Sequence, residues 1–78
     1  MNMNNNKINT SDFYFSAFLL SKGYEIEETS KIGKSITFYF ESDDLEEVRN
    51  KYFLGKANVE PLSFQNAIHN LKTLTFNL

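Results

Sequence analysis

The sequence predicts a small α+β domain in the order helix, β-hairpin, helix, helix, with the helices packed on one face of a small antiparallel sheet. Three observations predict it. SITFYFE, from Ser35 to Glu41, alternates apolar and polar residues with the period of a half-buried strand. FYFSAFLL, from Phe13 to Leu20, follows a cluster of helix-starting residues. Pro61 opens a run whose apolar residues recur at helical spacing.

Met1 to Asn9 reads MNMNNNKIN, rich in asparagine and almost without core-forming side chains. Residues 1–10 are therefore expected to be a disordered tail, or an arm that orders on a partner, and residues 11–78 a single domain. Thr10, Ser11 and Asp12 can cap a helix, because their side-chain oxygens accept from the unpaired amides of its first turn. The first helix should run to Ser21 and stop at Gly23.

Two strands follow, over residues 23–28 and 35–41. Placing their apolar sets face to face selects the register Tyr24–Phe40, Ile26–Phe38 and Glu28–Ile36. That register leaves a three-residue loop, Lys31-Ile32-Gly33, with glycine at the left-handed position. Ser42 is placed to cap the second helix, and Asp43, Asp44, Glu46 and Glu47 load its positive end with negative charge. Leu45, Val48 and Tyr52 share one face of it, Phe53 widens that face, and Gly55 ends the helix. The extended run Lys56-Ala57-Asn58-Val59 offers a short third strand near 57–59 on the hairpin edge. In the last helix Phe64, Ala67, Ile68, Leu71 and Leu74 fall within an arc of about 120°, with Gln65, Asn66 and His69 off it.

Composition narrows the function classes. Seventy-eight residues suit one core, with little material left for an enclosed active site. Eight Phe and four Tyr let that core bury much area per residue. No cysteine is present, which excludes disulfides and thiolate zinc sites and fits a reducing compartment. The net charge of −2 gives no long-range attraction to nucleic acid or anionic membrane. Ten acidic residues are too few for a surface that imitates DNA. FYFSAFLL is far short of the roughly 20 residues of a membrane span, and no signal-peptide pattern surrounds it. A cytoplasmic protein is expected.

The segments SDFYFSAFLLSKGY (11–24), ITFYFE (36–41) and KYFLGKANVEPLSFQNAIHNLKTL (51–74) resemble a family of small bacterial, archaeal and phage proteins catalogued as a domain of unknown function. The resemblance covers about Ser11 to Leu74 and leaves the asparagine-rich tail outside. It implies a one-domain protein in a mobile-element or prophage setting, with no established catalytic residues to carry over. In setting, size and acidity the chain is similar to small anti-CRISPR inhibitors, without a diagnostic motif.

Chemistry-bearing residues are scarce. His69 is the single histidine, and the positions three and four residues on are Lys72 and Thr73, so no second metal ligand follows it. The carboxylates of residues 43–47 are accounted for by their place at a helix start. No catalytic, cofactor-binding or metal site is expected, and no enzyme activity.

Two binding surfaces remain. In FYFSAFLL the apolar residues form three stripes: Phe13, Ala17 and Leu20; Tyr14 and Phe18; Phe15 and Leu19. A helix apolar all round is enclosed on several sides or presents part of itself to a partner. Either this is the central core helix with Phe15 under a loop, or Tyr14, Phe15 and Leu19 form a patch for another protein or a second copy of the chain. The other surface is basic: Lys31 and Lys34 at the hairpin tip, and Arg49, Lys51 and Lys56 near the end of the second helix. Tyr39 on the polar sheet face could stack on an unpaired base, although Glu25, Glu27 and Glu41 share that face. The leading expectation is a non-catalytic protein-binding module of phage or mobile-element origin. It would act stoichiometrically on a host protein, with an anti-CRISPR inhibitor of a Cas effector nuclease as the specific expectation. The alternative is a small nucleic-acid-binding accessory protein.

Overall fold

The computed structural model describes residues 7–78. Its elements are β1 (Lys7–Thr10), α1 (Phe13–Ser21), β2 (Ile26–Ile32), β3 (Ser35–Glu41), α2 (Leu45–Phe53) and α3 (Pro61–Phe76). The strands form one antiparallel sheet in the order β1-β3-β2. The α+β class and the helix, hairpin, helix, helix succession are as expected, with one strand added in front.

That strand corrects two expectations. Lys7–Thr10, assigned from the sequence to the tail, pairs with β3 so that Ile8 lies opposite Phe40 and Thr10 opposite Phe38. Residues 1–6 of the expected tail lie outside the described residues. Residues 57–59 form no strand; Ala57 and Val59 instead pack against the core from an irregular segment. A hairpin leaves the far edge of β3 unpaired, and Ile8 is buried when KINT fills it. One apolar residue in a polar tetrapeptide gives no periodic signal, so only the pairing reveals the strand.

The hairpin register also differs. Ile32 pairs with Ser35, leaving a two-residue loop of Gly33 and Lys34 instead of three residues. Gly33 has φ +62° and no non-glycine residue among the described residues has positive φ, so only the first loop position is left-handed, as in a type II′ turn. Thr29 then lies opposite Phe38 and Lys31 opposite Ile36. Carried on unbroken, that register would put Glu27 opposite Phe40 on the core face. A bulge between Ile26 and Glu28 absorbs Glu27 and returns Ile26 to Phe40. Face-matching alone cannot locate a bulge, which is why the expected register fails.

The helix ends follow local chemistry. The Asp12 carboxylate accepts from the Phe15 amide at 2.9 Å, and buried Ser16 donates its hydroxyl to the Asp12 carbonyl. At the other end, the amides of Gly23 and Tyr24 donate back to the Leu20 and Leu19 carbonyls, a Schellman closure that Gly23 permits with φ +99°. The end of α2 repeats it: Gly55 and Lys56 donate to the carbonyls of Tyr52 and Lys51. Asp44, not the expected Ser42, stands at the cap of α2, and its carboxylate accepts from Tyr24 and Ser42 side chains. Pro61 opens α3, with the Glu60 carboxylate accepting from the Leu62 and Ser63 amides.

The core joins Ile8, Phe38 and Phe40 of the sheet to Leu45 of α2, Ala67 and Leu71 of α3, and Phe15, Ala17, Phe18 and Leu19 of α1. In α3 the expected arc holds for Phe64, Ala67, Ile68 and Leu71, while Leu74 sits at the exposed rim. Among the described residues no helix is long and apolar enough to cross a membrane.

Candidate functional site

The three stripes of α1 resolve against the expected patch. Phe15 and Leu19 are both 0 % exposed and belong to the core; of the three patch residues only Tyr14, 56 % exposed, reaches solvent. Aromatic rings of α2 lie over Phe15 and Phe18. Phe15 lies 4.9 Å from the Tyr52 ring and 5.4 Å from Phe53, and Phe18 lies 5.1 Å from Tyr52. Tyr52 and Phe53 are consecutive, so two adjacent faces of α2 reach over α1, which a wheel drawn for either helix alone does not show.

Covering Phe15 leaves α2 with apolar surface of its own. Phe53 is 60 % exposed and Leu54, next to it, 69 %. Both sit at the Schellman closure of α2, where hydrogen bonds hold the backbone. Phe53 rests its ring on Phe15 and against Tyr52 at 4.9 Å, so this ledge is fixed from below. The sequence assigned Phe53 to the inner face; its exposure is a difference that the tertiary packing decides.

Beside this end of α2 lies an open groove of about 280 Å³, lined by Phe18, Lys22, Val48, Lys51, Lys56, Ala57 and Asn58. The floor is apolar: Phe18 is buried, and Val48 and Ala57 are half-buried. Three lysines stand at its sides because two helices end there. Lys22 caps the C-terminus of α1, Lys51 occupies the last turn of α2, and Lys56 follows its closing glycine. Lys22 Nζ sits 5.8 Å from the Phe18 ring centre, and Lys51 pairs with Glu47 at 3.6 Å.

The expected basic surface is thus divided. Lys51 and Lys56 meet in the groove, joined by Lys22, which lay too far away in sequence to be grouped with them. Arg49 is on α2 but donates to Glu46 at 3.2 Å. Lys31 and Lys34 are exposed at the hairpin end. Tyr39 lies on the open face of the sheet, opposite Asn9 of β1 and Glu28 of β2. A hollow there is bounded by Lys7, Glu27, Glu28, Tyr39, Phe40 and Glu41, an acidic setting for a base-stacking ring.

Titration behaviour is perturbed mainly at structural contacts. Tyr24 donates its hydroxyl to both Asp44 carboxylate oxygens, at 2.9 and 2.8 Å. Burial first, then that hydrogen bond and the Asp44 charge, push the phenol up to about 12. The same bond holds Asp44 below the usual carboxylate range. Glu60 is held low by the Leu62 and Ser63 amides, and Tyr52 is raised by burial and then by the charge of Asp12. His69 is exposed on α3. Among the described residues no group of three or more His, Asp or Glu is placed to hold a metal ion.

The comparisons with known proteins bear on the whole of this arrangement. A family model described as "Domain of unknown function (DUF5659)" matches residues 5–77. The chain belongs to that family. The match takes in β1 as well as the segments from Ser11 onward, so the DUF5659 unit includes the N-terminal strand. No curated protein and no solved structure matches the chain.

Proposed function

We propose that this DUF5659 chain is a non-catalytic protein-binding module of phage or mobile-element origin, acting in the cytoplasm of a host cell by occupying a partner's surface. What supports the reading most is the ledge of Phe53 and Leu54: two large apolar side chains, adjacent, mostly exposed and held on a hydrogen-bonded helix end. Large apolar side chains presented from fixed backbone exclude water over a wide area at small entropic cost, which is how interface anchors work. The ledge takes over the role first expected of Phe15 and Leu19. A nucleic-acid role has less support, since Arg49 and Lys51 are paired with glutamates and Tyr39 faces Glu28.

The partner class to test first is a host defence protein, with a Cas effector nuclease as the specific case; this rests on the setting of the resemblance. A photoreactive residue in place of Leu54, expressed in the host, should cross-link one protein, and purified partner should bind with one-to-one stoichiometry. For a nuclease, activity should fall in proportion to added chain and level off at equivalence. A chain that binds only its own copy, as read from solution mass, would replace this reading with self-association. Turnover of a substrate by the purified chain would overturn it.

A further inference from the structure

Resting on that reading, we infer that the groove between the end of α1 and the end of α2 binds an acidic segment of the partner protein, one carboxylate flanked by an apolar side chain. Two features of the groove select this chemistry. Its floor is apolar, with Val48 and Ala57 half-exposed above the buried Phe18 ring, so an aliphatic or aromatic side chain laid on it would leave water. Its sides carry Lys22, Lys51 and Lys56, with Asn58 as a further hydrogen-bonding group.

The charge balance decides how much anion it takes. The C-terminal ends of α1 and α2 each contribute roughly half a negative charge, and Glu47 contributes one more beside Lys51. Against three ammonium groups, this leaves the groove positive by about one charge. One carboxylate is matched; a run of phosphates is not. Lys22 and Lys51 answer the helix ends, whereas Lys56, past the closing glycine of α2, is the surplus cation. No exposed ring lines the groove for base stacking, which again favours peptide over nucleic acid. The Phe53–Leu54 ledge belongs to the same helix end, so one partner could use both.

The test uses the full chain labelled with ¹⁵N and a short acetylated peptide alternating aspartate with leucine. The peptide should shift the amide signals of Lys22, Lys51, Ala57 and Asn58 in a saturable way. An asparagine–leucine peptide should shift them far less. Reversing two of the three groove charges with Lys51→Glu and Lys56→Glu should weaken the aspartate–leucine peptide by about tenfold or more, with the remaining spectrum unchanged. Equal binding of the neutral peptide, indifference to charge reversal, or no shift at these amides would each overturn the inference. So would stronger shifts with single-stranded oligothymidine, which would assign the groove to nucleic acid. A Leu54 cross-link that survives the double charge reversal would sink the groove and spare the binding module. Peptide binding with no cross-linked partner would do the opposite.

Discussion

Adjacent residues of α1 offer the sharpest contrast. Phe15 is 0 % exposed beneath Tyr52 and Phe53, while Tyr14 is 56 % exposed, with an edge contact to the Phe13 ring at 5.4 Å. A domain of 78 residues at about 0.05–0.15 kcal/mol per residue holds about 4–12 kcal/mol of stability. Phe15→Ala removes a fully buried ring and should cost about 3–5 kcal/mol, most of that stability at the lower end. Phe15→Glu loses the same ring and leaves a carboxylate without a partner, for several kcal/mol more. It should be unfolded. Tyr14→Glu forfeits one exposed aromatic contact and should cost about 1 kcal/mol or less. Urea titration followed by circular dichroism on the three variants orders them directly. A cooperative transition in Phe15→Glu near that of the parent would refute the placement of Phe15 in the core and restore it as a surface anchor.

Other expectations concern the helix cap, the bulge and the tyrosine–aspartate contact. Asp12→Ala removes the acceptor of the Phe15 amide and should cost about 1 kcal/mol in urea titration. Deleting Glu27 should leave a folded domain, because Ile26 already pairs with Phe40 on the far side of the bulge. Loss of cooperative unfolding in that deletion would show that the bulge has a role beyond register. Tyr24 should titrate near 12 by ultraviolet difference spectroscopy. Its folded value lies above the unfolded one of about 10, so its contribution is complete below that pH and fades as pH rises toward 12. Asp44 works in the other direction: its folded value is depressed, so its small contribution is present above the usual carboxylate range and lost as pH falls through the folded value. Tyr24→Phe should flatten the alkaline dependence and raise the Asp44 midpoint seen by carboxyl NMR.

Local chemistry by itself determined both ends of α1, the end of α2 and the start of α3, but not the start of α2, where Asp44 and not Ser42 stands at the cap. Asp12, Gly23, Gly55 and Pro61 act within a turn of their own position, through a cap, a left-handed φ or a missing amide hydrogen, so neighbouring residues suffice to place them. The alternation of β3 is equally local, and so is the inner face of α3 from Phe64 to Leu71. Tertiary structure alone decided the rest. Ile8 becomes a strand residue only because β3 has an edge to fill, and the bulge at Glu27 exists only because a two-residue turn sets the opposite parity. Tyr52 and Phe53 reach over Phe15 from a helix whose approach no single wheel encodes. Lys22 meets Lys51 and Lys56 because two unrelated helices end side by side. Each of these depends on contacts between residues far apart in the chain, and their free energy exists only once the chain has closed around them.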